Sequence, residues 1–485
     1  MKLILLGIIF SGINVIYCEQ RVVCYFTNWS QYRTGVGKYL PEDIDPFLCT
    51  HIMYSFAKIV NNKLEPYEWN DDSNEWSKGL YERTNDLKKI NPNLKVMLAV
   101  GGWNMGTAPF ISVVSSDANI QSFVDTSVIY LKKRNFDGLD LDWEYPEGYK
   151  SQFTRLVKAL KSRFVSENLL LSAAVAAGKS KIDSSYDLPE LSKNLDFLNV
   201  MSYDYHGSWD KNTGHNAPLY SPSTLNVDFT ISYYIQLGFS AEKINLGLAT
   251  YGRSFTLSDP NQNSVGSQIS GPGIAQTFTR EDGYSAYYEI CSKSWTKAYD
   301  SQSKVPYMYS GNQWISYDDS DSLKQKVEYA KFKNLGGIMF WAIDLDDFSG
   351  SVCGQGRYPL INSAKENFLS SSNILSTSST EIRVKSSSSS SSSTSKIPSS
   401  TSKSTTSTRT TSRVDNDIGK TQPAENLCFN RDGYYPDIKS GCQKFYVCVY
   451  YGTQHQQIHY FDCPKGTLFD TVNGICNHEY LVKCD

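Results

Sequence analysis

The run Phe136-Asp137-Gly138-Leu139-Asp140-Leu141-Asp142-Trp143-Glu144-Tyr145-Pro146 places four carboxylates within eight residues, interleaved with large apolar side chains. A helix would scatter Asp140, Asp142 and Glu144 around its circumference. A strand aligns them on one face, because strand side chains alternate with period two. Leu139, Leu141 and Trp143 then take the opposite face, and Asp137 shares their parity. Successive acids in the file have Cα atoms about 6–7 Å apart, so neighbouring carboxyls come within reach of each other. Acids held that close and out of water cannot all ionise, and at least one keeps its proton near neutral pH. A general acid needs that arrangement. A solvated acidic edge or a divalent-cation site would also account for the acids. The first leaves Phe136, Leu139, Leu141 and Trp143 unexplained, and no histidine lies nearby to favour the second.

Such a strand must be held by others. Short apolar runs at 21–26, 51–56, 94–100, 169–174, 197–201, 244–249 and 337–341 join the acidic strand to make eight. Helical patterns at 75–89, 119–133, 150–165 and 227–237 separate several of them. Buried strands alternating with helices imply parallel βα units, and eight of them favour an α/β fold, the closed (β/α)8 TIM barrel. Chemistry in such barrels sits at the C-terminal strand ends. Those ends carry Tyr25, Phe56, Trp103, Glu144, Tyr203, Tyr251 and Trp341: one glutamate among aromatics, which describes a cleft for a glycan. The gap before the last strand is too long for one helix. Residues from about 253 to 317 therefore read as an inserted α+β subdomain forming one wall of the cleft.

At 485 residues the chain has room for further domains. Its net charge of −3 gives no reason to expect nucleic acid or an anionic substrate. Aromatics reach 13%, and this excess of Tyr and Trp suits sugar rings, which lie flat on aromatic faces. Residues 1–18 read as a secretory signal peptide: Lys2, an apolar run over 3–17, and cleavage near Cys18-Glu19. The mature chain is thus expected to be secreted, extracellular and free of the membrane. Without Cys18, ten of the 11 cysteines remain, an even number suited to an oxidising compartment. Residues 19–370 form the expected catalytic domain. Residues 371–425 are dominated by Ser and Thr, including eight consecutive serines at 386–393, and read as a linker without a core. Residues 426–485 hold six cysteines and many aromatics, the pattern of a small disulfide-rich β-type domain with a surplus for stacking on sugars. Asn28-Trp29-Ser30 is an N-glycosylation sequon beside a cleft aromatic.

The stretch from Asp137 to Glu144 closely resembles the signature of glycoside hydrolase family 18 chitinases. Gly101-Gly102-Trp103, Met201-Ser202-Tyr203-Asp204, Tyr251-Gly252-Arg253 and Trp341 support it independently, so the resemblance spans roughly residues 21–370. The tail resembles a peritrophin-A type chitin-binding domain, carbohydrate-binding module family 14. The resemblance implies an endo-acting, monomeric chitinase with chitin or chito-oligosaccharide as its partner and with no metal or cofactor. It further implies substrate-assisted chemistry, an exception to the two-carboxylate scheme. Glu144 would protonate the glycosidic oxygen and later serve as base. Asp142 would hold the substrate's acetamido group, Asp140 would share a proton with Asp142, and Tyr203 would hold the acetamido oxygen. Trp341 would floor the distorted sugar, and Trp29 and Trp103 would stack sugars on either side. Tyr25, Phe56, Gly102, Asn104, Met201, Asp204, Tyr251 and Arg253 would complete the cleft, with ordinary barrel packing an equal reading for Phe56 and Met201. Glu281 is a further cleft candidate. The implied disulfides are Cys24–Cys49, Cys291–Cys353, Cys428–Cys448, Cys442–Cys484 and Cys463–Cys476. Two other activities fit the same framework: a chitin lectin without catalysis, and an endo-β-N-acetylglucosaminidase acting on N-glycans.

Overall fold

The computed structural model describes residues 20–370, 433–449, 457–463, 465–470, 475–479, 482 and 484. The signal peptide expected over 1–18 and the linker expected over 371–425 lie outside them.

Eight parallel strands form the barrel: β1 (Arg21–Thr27), β2 (His51–Val60), β3 (Lys95–Gly101), β4 (Gly138–Asp142), β5 (Leu170–Val175), β6 (Phe197–Val200), β7 (Ile244–Ala249) and β8 (Gly337–Trp341). Each pairs with its neighbours in sequence order, and β1 pairs with both β2 and β8, which closes the sheet on itself. Nearly every strand residue is buried, as parallel strands covered by helices require. Helices such as Asp117–Lys133, Lys150–Glu167, Val227–Gln236 and Ser320–Phe332 provide that cover. Asp137 stands at the base of β4, where it accepts from the Val96 main chain at 2.8 Å and pairs with Lys88 at 2.9 Å.

Two elements differ from the sequence expectation. β2 does not end at Phe56. Its register shifts between Ser55 and Ala57, and the strand then continues to Val60 and turns back through Lys63–Pro66. The irregularity frees Phe56 from the ladder and aims it into the barrel mouth. The helix expected over 75–89 begins only at Leu80 and becomes a 3-10 helix over Asp86–Lys89. The Asn74 side-chain oxygen accepts from the main chain of Trp76 and Ser77 and holds the preceding residues in a turn.

Between β7 and β8 stands an antiparallel six-stranded sheet. Its central strand, Tyr251–Leu257, pairs with Ile269–Pro272, Tyr284–Ala286 and Gln313–Ser316, and Val305–Ser310 and Thr296–Asp300 complete it. Disulfides join Cys24 to Cys49 and Cys291 to Cys353. The C-terminal unit has a three-stranded sheet, Gly433–Pro436, Lys444–Val449 and Gln457–Asp462, and a hairpin of Thr467–Asp470 with Ile475–His478. Disulfides Cys442–Cys484 and Cys463–Cys476 staple it; the Cys428–Cys448 pairing lies outside the described residues. Phe445 stacks against Phe461 and Phe469, while Tyr446 meets Tyr435 and Tyr460. Among the described residues no helix is long and apolar enough to cross a membrane.

Candidate active site

Alternation along β4 places Asp140 and Asp142 inward and buries Leu139 and Leu141 on the other side. Glu144 follows two residues beyond Asp142, at the barrel mouth. The three acids have different surroundings. Asp140 Oδ2 accepts from the Tyr25 hydroxyl at 2.7 Å. Its Oδ1 accepts from Ser172 Oγ at 2.6 Å and Asn199 Nδ2 at 3.3 Å. Those donors come from β1, β5 and β6, so the barrel interior converges on this carboxylate. Asn199 is oriented in turn by Asn245, and Asn245 by Arg21. Burial pushes the Asp140 pKa up and the three donors oppose it.

Asp142 is also buried, yet its Oδ1 has no hydrogen-bond partner. Burial raises its pKa well above the carboxylate range, and the charges of Glu144 and then Asp140 add to this. Glu144 is pushed up to about 7, chiefly by burial and further by Asp204, against the pull of Tyr145 and the Trp103 main chain. Neutral water therefore sees a carboxylic acid at the mouth of the barrel beside a second protonatable carboxyl and an unmet buried acceptor.

Close backbone approach sets this geometry. Gly101, at φ +121°, lies so near β4 that an added Cβ would stand 1.9 Å from the Asp142 carbonyl oxygen. The Gly102 N–H donates to that same oxygen at 2.9 Å. On the far side, the Tyr203 hydroxyl meets only the Met339 Sδ, at 3.8 Å, among the described residues, and burial keeps it protonated. It is a donor without a strong acceptor. Asp204 adopts φ +57°; its N–H donates to Asn216 Oδ1 at 3.0 Å, and its carboxylate accepts from Tyr251 and from Arg253 Nε at 2.6 Å.

These groups open onto a cavity of about 1060 Å³. Trp341 lies within 5.4–6.2 Å of the Tyr25, Phe56 and Trp29 rings, an aromatic floor. Trp103 stands 73% exposed at one rim. Of the residues singled out from sequence, Trp29, Phe56, Trp103, Asn104, Asp142, Glu144, Met201, Tyr203, Asp204, Tyr251, Arg253, Glu281 and Trp341 line the cavity. Tyr25, Gly102 and Asp140 lie one layer behind it and hold the lining in place. Sequence reasoning missed Trp209 and Tyr284, whose rings flank the Arg253 guanidinium at 5.2 and 5.1 Å. It also missed Ser172 and Asn199, although a lone polar residue inside an apolar parallel strand is a readable signal. Asn28 of the sequon is buried, with Nδ2 donating to the Phe56 carbonyl and to Asp71. The nitrogen that a glycan would need is engaged within the fold.

Residues 21–346 match the family described as Glycosyl hydrolases family 18. The chain belongs to that family. Residues 428–484 match the Chitin binding Peritrophin-A domain. Mouse Chitotriosidase-1 is 38% identical, covering 94% of this chain and 95% of the relative. The Endochitinase of Brugia malayi is 40% identical, covering 98% and 97%. A solved structure of human YKL-39, described as a pseudo-chitinase with retained chitooligosaccharide binding, is 43% identical with a TM-score of 0.69, covering 72% of this chain and 99% of that one. This family 18 chain is a glycoside hydrolase of the chitinase type, built on an eight-stranded barrel and carrying a second, chitin-binding domain.

Proposed function

We propose that the protein is a secreted, monomeric chitinase that cleaves β-1,4-linked N-acetylglucosamine polymer with retention and without an enzymic nucleophile. The observation that carries this reading is the inequality of the three acids around an unmet acceptor. Glu144, with a pKa near 7, protonates the glycosidic oxygen. The substrate's own acetamido oxygen attacks the anomeric carbon, the leaving sugar departs with the proton, and an oxazolinium ion forms. Asp142 accepts from the acetamido N–H, which meets its unpartnered Oδ1, and stabilises the positive charge. Tyr203 donates to the acetamido oxygen, the strong acceptor it otherwise lacks. Asp140, held by three donors, keeps negative charge behind Asp142. Glu144 then takes a proton from the incoming water. Trp341 floors the reacting sugar, and Trp29 and Trp103 carry its neighbours.

The lectin reading is raised by the pseudo-chitinase among the relatives. The complete set of Asp140, Asp142, Glu144 and Tyr203 favours catalysis in this chain. The Glu144→Gln variant decides between them. It should bind soluble chito-oligosaccharide with little change in affinity while kcat falls about a thousandfold. Turnover unchanged by the substitution would remove Glu144 from the role of acid.

A further inference from the structure

We propose that Asp71 is a positioning residue that locks the 67–71 loop onto the 28–32 segment and so preforms the Trp29 side of the cleft for long oligosaccharides. The inference rests on the chito-oligosaccharide reading above, and it concerns a carboxylate outside the acidic file. Asp71 is fully buried and does not line the cavity. Four donors converge on it: the Tyr54 hydroxyl from β2, the Tyr67 N–H at 2.9 Å, the Glu68 N–H at 2.8 Å, and Asn28 Nδ2 at 3.3 Å. The same Asn28 nitrogen reaches the Phe56 carbonyl at 3.3 Å. One carboxylate therefore ties together three separate stretches of chain. Each presents a neighbouring side chain to the cavity: Trp29 beside Asn28, Phe56 near Tyr54, and Tyr67 and Glu68 themselves.

The two loops also interlock at the surface. Gln31 and Asn70 exchange amide hydrogen bonds, at 2.7 and 3.3 Å, and the Tyr32 hydroxyl donates to Glu68 at 2.5 Å. Trp29 stacks on Phe56 with ring centroids 6.0 Å apart, so a shift of either segment moves the aromatic surface. Without its acceptor, the buried donors around position 71 are left unmet and the 67–71 loop loses its anchor. A ligand reaching that wall must then supply the ordering itself, which weakens binding. A short ligand seated on the Trp341 floor makes no use of the Tyr67 and Glu68 end of the wall and so loses less, and Asp71 makes no hydrogen bond to the acids on β4.

The test titrates the N-acetylglucosamine hexamer and dimer by tryptophan fluorescence. It uses the full chain in the Glu144→Gln background, adds Asp71→Asn and Gln31→Ala separately, and runs thermal melts alongside. Asp71→Asn should weaken hexamer binding about tenfold and dimer binding by less than about twofold. Gln31→Ala, which cuts only the surface interlock, should show the same length selectivity at smaller size, and it gives the answer if Asp71→Asn fails to fold. Equal weakening of both lengths, or an unchanged hexamer in either folded variant, overturns the inference. A wild-type chain that binds the hexamer without cleaving it overturns the chitinase reading and leaves this one standing.

Discussion

Asp140, Asp142 and Glu144 share one functional group and differ only in what surrounds them. Three donors stabilise charge on Asp140, none meets Asp142 Oδ1, and Glu144 sits where burial and Asp204 raise its pKa to about 7. The acid step needs Glu144 protonated. Raising the pH through about 7 ionises it, so kcat/KM should fall about tenfold per pH unit on the alkaline side. Rates on a soluble oligosaccharide from about pH 4 to about pH 9 check this; a level profile up to the alkaline end contradicts it. The Asp204 charge helps keep the proton on Glu144, so Asp204→Asn should move the alkaline limb to lower pH. The spacing of the acids was legible because period two is a property of the strand alone. Ser172 and Asn199 are readable as lone polar residues in apolar strands, but their pairing with Asp140, which makes that acid different, is not. They lie 32 and 59 residues from it, and only closure of the barrel brings them to it. Asp71 was hidden for the same reason, since its four donors come from three segments.

The barrel strands were legible because buried parallel strands write themselves as apolar runs. The sequence pattern failed where a local side-chain bond or a register shift decided the outcome, at Asn74 and at Phe56. Gly101 shows what an element must supply to the site. Its φ of +121° and the 1.9 Å that would separate an added Cβ from the Asp142 oxygen leave no space for alanine. Separating β3 from β4 there would displace Asp142 directly. Gly106 makes a fair control, because it too has positive φ, at +66°, but an added Cβ meets nothing within 4 Å. Gly106→Ala should therefore cost about 1–3 kcal/mol, from backbone conformation alone, because its ψ of −173° belongs to a region that is essentially reserved for glycine. Gly101→Ala should cost about 1–3 kcal/mol more than that, since overpacking adds to its own conformational penalty. Urea midpoints of the two variants check the difference, and equal costs would mean that β3 can yield without loss. Activity of any folded Gly101→Ala protein should fall out of proportion to its stability.

At the scale of the molecule, the chain combines a barrel that has an aromatic-lined cleft with a C-terminal unit too small for a large core. Among the described residues, two disulfides and stacked aromatics hold that unit, with Tyr460 59% and Phe461 36% exposed on its sheet. Cysteine density made it legible as a module; which rings pack and which face water was not, because the adjacent Tyr460 and Phe461 are both exposed while Tyr446, paired with Tyr460 across the sheet, is buried. Exposed rings on a sheet suit adsorption to a polymer surface, whereas catalysis needs one freed chain in the cleft. Tethering the two raises the concentration of the barrel near the solid and changes nothing at Glu144. A chain ending at residue 370 should thus keep kcat and KM on soluble hexamer within about twofold. Its initial rate on insoluble chitin, at low protein concentration, should fall about tenfold or more, with a matching loss of protein from the pellet after sedimentation. The gap should narrow as protein concentration rises, because adsorption no longer limits the rate. An equal fall on both substrates would place the tail's contribution in the stability of the barrel and not in its delivery to the solid.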